Sequence, residues 1–117
     1  HALVQQTLYE QQPLQRRGLH ARVAHAIEGV RGKRVDAAAE LAWHFLASGN
    51  TERATRYSIV AGDHSASLYA HLEAAEHYQR AIDLLLDGDD EQQLATLRCT
   101  LGAELNYISR REEALVA

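Results

Sequence analysis

Cysteine, proline and aromatic residues are scarce in this chain of 117 residues. Cys99 is the single cysteine, so no disulfide can close within the chain, which fits a reducing cytoplasm. No His/Asp constellation is spaced around it, so it reads as a small helix residue rather than a reactive thiol. Pro13 is the single proline, and β-branched runs are few, which favours helix throughout. Aromatics make up only 6% of the residues, so alanine and leucine must do most of the packing. No apolar run approaches the roughly 20 residues of a membrane span. No basic region followed by an apolar core marks a leader in the first residues. The expectation is one all-α domain by length, cytoplasmic, with no membrane partner.

Acidic residues are scarce in the first part of the chain and concentrated in the rest. The net charge is −4, but residues 1–35 hold six Lys/Arg against Glu10 and Glu28. The remainder holds six Lys/Arg against fourteen Asp/Glu. An acidic body argues against direct nucleic-acid binding, where phosphate contacts dominate affinity. The basic front end reads either as a solvated helix face or as a surface for an acidic neighbour.

What the sequence has is helical periodicity, clearest from residue 36 to residue 86. Ala38, Leu41, Ala42, Phe45 and Leu46 fall on one helix face. Ala54, Tyr57, Ala61, Ser65 and Leu68 repeat the period, and so do Ala74, Tyr78, Ala81, Ile82 and Leu85. Small and large residues alternate on each stripe. Alanines let helix axes approach, and an aromatic of the next helix fills the space beside them. Gly49-Asn50 separates the first of these helices from the second, with Asp36 and Thr51 as their expected caps. Gly62-Asp63 is the expected weak point of the second.

Around this centre, His1–Glu10 has an apolar side and starts without a cap or a methionine, which suggests an excised piece of a longer chain. A further helix is expected from Pro13 to about Gly29, with Gly18 as a candidate close crossing. Asp87-Gly88-Asp89-Asp90 is the clearest linker. Leu94, Leu97, Leu101, Leu105 and Ile108 mark a sixth helix, and a new one is expected after Ser109, cut off by the end of the chain.

Leu41-Ala42, Phe45, Ala54 and Ala61 resemble the tetratricopeptide (TPR) pattern, in which small residues mark where a helical hairpin touches. Ala61-Gly62, Ala74, Tyr78 and Ala81 resemble it too, as do Leu101-Gly102, Leu105 and Ala114. The first two fits share a helix, so the register stays open. The resemblance implies a TPR-like array of about six antiparallel helices in a right-handed superhelix.

A wider set of spaced residues extends the likeness. It includes Arg16-Arg17, Leu19-His20, Ala26-Ile27-Glu28, Glu40-Leu41-Ala42, His44-Phe45, Arg53-Ala54, Tyr57, Glu73-Ala74, His77-Tyr78 and Arg80-Ala81. Together they resemble the region after the nucleotide-binding core in LuxR-type transcriptional regulators and in cyclase-linked ATPases. The resemblance implies that residues 1–12 end a winged-helix element and that residues 13–117 form a TPR-like array. It implies a module without catalysis that couples an ATPase to an output, with protein partners from the same polypeptide or from outside. The alternative is a freestanding helical scaffold that acts as a homodimer.

The sequence carries none of the motifs that perform chemistry. There is no GxxxxGK[ST], hence no phosphate cradle. No Glu-x-x-His occurs, and Cys99 stands alone, so neither a carboxylate-bridged nor a zinc site is expected. Histidines 20, 25, 44, 64, 71 and 77 read as surface or boundary residues, with His20 and His77 partly buried. No catalytic residue, cofactor or metal site is therefore expected. Arg16 and Arg17 are the expected contact to the rest of the polypeptide. Trp43 lies roughly a fifth to a half of a turn off the Leu41/Phe45 stripe. It either lines the groove of the array or packs on the helix from Pro13.

Overall fold

The computed structural model describes residues 13–86, 88 and 90–116. They form five α-helices and one short 3-10 turn, with no strand among them. Helix α1 is Pro13–Arg31, followed by the turn Val35–Ala37; α2 is Ala38–Ser48, α3 is Thr51–Ser67, α4 is His71–Leu85 and α5 is Glu91–Val116. The segment expected to be the first helix, within residues 1–12, lies outside the described residues.

Each helix packs chiefly against the one before it and the one after it. The two or three residues between α2, α3 and α4 leave no other choice, since such short connections turn a helix back beside its neighbour. The radius of gyration is 16.0 Å, against about 13 Å for a compact domain of this length.

The boundaries follow local chemistry. Gly49 ends α2 with φ at 85°, a left-handed conformation that costs glycine nothing. Asn50 then caps α3, its side chain accepting from the Arg53 N–H at 3.1 Å. Thr51, the expected cap, is instead the first helical residue. Asp36 does not cap α2 either. It sits in the 3-10 turn and pairs with Arg34 at 2.7 Å, so the helix starts at Ala37–Ala38 without a side-chain cap. At the front of α5, Asp90 accepts from the Gln93 N–H at 2.9 Å.

Two corrections concern the helices themselves. No helix begins after Ser109, because α5 runs unbroken for 26 residues. Ser109 is followed by two arginines and two glutamates, all good helix formers, and a serine costs a helix interior only a few tenths of a kcal/mol. Ala114 therefore lies on the same helix as Leu101, and that pair does not form a hairpin. Nor is α3 interrupted at Gly62.

The alternation of small and large residues does build the core. Ala24, Ala38, Leu41, Ala42, Phe45 and Ala54 are buried where α1, α2 and α3 meet, and Phe45 stacks on Tyr57 with ring centroids 5.7 Å apart. A second cluster joins α4 to α5 through Tyr78, Ile82 and Leu97. Leu46, Leu68 and Leu105 are exposed although their spacing put them on apolar stripes. The buried stripe of α5 instead includes Glu104, which is held by His71 of α4.

Candidate functional site

Arg16, Arg17 and His20 follow Pro13 by three, four and seven residues, so one face of the first turns of α1 carries all of them. Trp43 and Ala47, four apart on α2, stand opposite. These residues line a cleft of about 330 Å³ between the two helices. The three side chains singled out by the sequence, Arg16, Arg17 and Trp43, are thus brought together.

Arg16 is half-buried and Arg17 exposed, and neither has a carboxylate within salt-bridge distance among the described residues. The Arg17 guanidinium crosses from α1 to lie over Gly49, where a Cβ would stand 2.2 Å from its terminal nitrogen. A cation there suits the negative end of the α2 dipole. Trp43 is partly exposed, and its ring meets the edges of His20 at 5.0 Å and of His44 at 4.8 Å. Trp43 lines this cleft and packs on α1 through His20.

Beneath the cleft lie two buried imidazoles. His20 is 8% exposed and His44 is 2% exposed. Their Nδ1 atoms are 3.1 Å apart, a hydrogen bond between α1 and α2 in which one neutral ring donates and the other accepts. His44, expected at the surface or its boundary, is instead in the interior. The signal that would have found it is its place three residues after Leu41 and beside Phe45, on the buried side of α2. Burial lowers the pKa of both rings below the ordinary imidazole value; Arg16 adds to this at His20, and His20 adds to it at His44. Glu40, one turn before His44, acts in the opposite direction. Its carboxylate lies 4.0 Å from His44 Nε2 and is itself paired with Arg31 at 3.2 Å.

A carboxylate knot fastens the same helix further along. Glu28 of α1 accepts from the Tyr57 hydroxyl at 2.5 Å and from Arg53 Nε at 3.2 Å, both on α3, with Arg56 at 3.6 Å. The Tyr57 hydrogen bond, ahead of the two arginines, holds the Glu28 carboxyl below the usual range.

A larger hollow of about 540 Å³ lies over Ile59, Val60, Leu84 and Leu85. Its charged lining residues are Glu52 and Arg56, and Arg56 is turned towards Glu28 and the Tyr57 ring. The smaller cleft is the better candidate, because among the described residues no carboxylate pairs with Arg16 or Arg17. The side chains around it offer planar N–H donors, an indole and a neutral imidazole. That set suits the recognition of anionic groups beside an apolar surface. Among the described residues no group of three or more His, Cys, Asp or Glu could hold a metal ion, and no helix is long and apolar enough to cross a membrane.

No family model, no curated protein and no solved structure matches this chain.

Proposed function

We propose that this chain is a TPR-like interaction and coupling module, without catalysis of its own, from a cytoplasmic signalling ATPase or transcriptional regulator of the LuxR type. Its partner is a protein surface, either another domain of the same polypeptide or a regulator, and the contact is made at the cleft between α1 and α2. The observation that carries this reading is the convergence of Arg16, Arg17 and Trp43 on one cleft, with neither guanidinium paired to a carboxylate among the described residues. The serial packing of the helices supports it as well. In such an array each unit touches only its neighbours, so a push at one end is passed along the row.

The test is binding between this chain and the ATPase core of its parent protein. Replacing both arginines (Arg16→Glu and Arg17→Glu) should weaken binding at least about tenfold, since each charge-assisted contact contributes about 1.5–3 kcal/mol. Helicity by circular dichroism should be unchanged. Unchanged binding would remove the cleft from this role.

A further inference from the structure

The cleft has a floor that titrates. Its two walls, α1 with Arg16 and Arg17 and α2 with Trp43, are joined directly beneath it by the His20–His44 hydrogen bond. Trp43 touches both rings, so any change in their spacing moves a wall of the cleft.

We propose that the His20–His44 contact is a proton-operated latch on this cleft, closed while at least one ring is neutral and open once both are protonated. This regulation rests on the reading of the cleft as a docking site, but the latch itself is testable without a partner.

The argument starts from donors and acceptors. With one ring neutral, an Nδ1–H faces a bare Nδ1, and the 3.1 Å separation is an ordinary hydrogen bond. A first added proton leaves that bond in place with a single charge on the pair. A second proton puts N–H groups on both Nδ1 atoms, and the contact becomes two donors and two cations face to face.

Among the described residues, few groups compensate. From α1, Arg16 adds positive charge near His20, and Arg17 lines the same cleft. From α2, Glu40 is the one carboxylate acting on His44, and it is shared with Arg31. Of the charged groups on α3, Arg53 and Arg56 are turned to Glu28. In the turn before α2, Asp36 is taken by Arg34. The charged pair must therefore reach water, and the nearest water is in the cleft. Reaching it parts the first turns of α1 from Trp43, while the Glu28 knot keeps the far half of α1 on α3.

Trp43 is the only tryptophan in the chain, so its fluorescence reports on this place alone. The experiment is acrylamide quenching of the full chain from about pH 8 to about pH 5, with far-ultraviolet circular dichroism alongside. The quenching constant should rise by about twofold on acidification while helicity is kept, as for a local opening. His20→Gln leaves a ring that cannot form a double cation and should flatten the curve. Constant quenching in the folded wild-type chain, an undiminished rise in His20→Gln, or a rise that coincides with loss of helicity would each overturn the latch. Should His20→Gln fail to fold, nuclear magnetic resonance titration of the wild-type imidazoles decides. Two coupled steps, the second coincident with Trp43 exposure, support the latch; two independent ordinary titrations contradict it.

Discussion

The ring of Tyr78 lies against the backbone of Gly62, so closely that a Cβ at position 62 would stand 2.6 Å from its Cε1 atom. The ring cannot yield, because it is 2% exposed and its hydroxyl donates to Asp63 at 2.6 Å. Gly62 is thus the glycine where two helices cross closely. Gly18, the residue expected there, has nothing within 4 Å of an added Cβ among the described residues. Gly62→Ala gains about 1 kcal/mol of helix propensity but must push α4 away from α3. Overpacking of a filled core costs about 1–3 kcal/mol, and with backbone, ring and hydroxyl all fixed the upper part of that range applies. The melting temperature should fall by several degrees; a rise would show that α3 and α4 are not seated as described.

Glu28 holds α1 to α3 through three side chains of that helix. Glu28→Gln keeps the shape but removes the charge that Arg53 and the Tyr57 hydroxyl address. A loss of about 1–2 kcal/mol is expected in a urea titration, allowing for partial exposure of the site. A double-mutant cycle with Tyr57→Phe should show coupling between the two residues. Strict additivity would mean that the hydrogen bond contributes nothing.

Ser58 is fully buried on α3, and its hydroxyl has no protein hydrogen-bond partner among the described residues. An unpaired buried hydroxyl costs about 1–3 kcal/mol, and alanine is the better helix former. Ser58→Ala should therefore leave stability unchanged or raise it. A clear destabilisation would point to a role for the hydroxyl beyond packing.

Stability should fall on mild acidification. His20, His44 and His77 are each held below the ordinary imidazole value, first by burial and then by Arg16, His20 and Arg80 respectively. Unfolded imidazoles titrate near about 6.5, so between that value and the lower folded values the unfolded chain binds more protons. Stability is then level above about pH 7 and declines as pH drops through about 6.5. Glu28 has the carboxylate pattern: its contribution is present above the unfolded value near about 4.5 and is lost as pH falls through its lower folded value. Urea midpoints at several pH values check both windows. Removing one titrating ring with His20→Gln should make the first decline shallower.

How much of this was legible in the sequence depended on whether a residue's role is local. The stripes through Leu41, Phe45, Tyr57, Tyr78 and Ile82 reported burial correctly, because a helical period is written in neighbouring residues. Gly49 announced its turn for the same reason. The caps were misplaced by one residue, since Asp36 and Thr51 are as good at capping as Asn50 until a neighbour such as Arg34 claims them. Ser109 looked like a boundary for the same reason. What could not be read were pairings between distant positions. His20 with His44, Glu28 with Tyr57, and His71 with Glu104 each join residues more than twenty apart. Each such pair buries a polar side chain, and nothing in its own segment marks it. Arg16 with Arg17, and Trp43 apart from them, stand out in the sequence; that they line one cleft became visible only once α1 lay beside α2.

The central claim is that this array couples other domains of a larger signalling protein. The most direct test is the size of the native polypeptide in its source cells, by immunoblot with an antibody raised against this chain. The account predicts a band several times larger than 13.0 kDa. A band near 13.0 kDa would contradict it and leave a freestanding helical protein whose function is its own association.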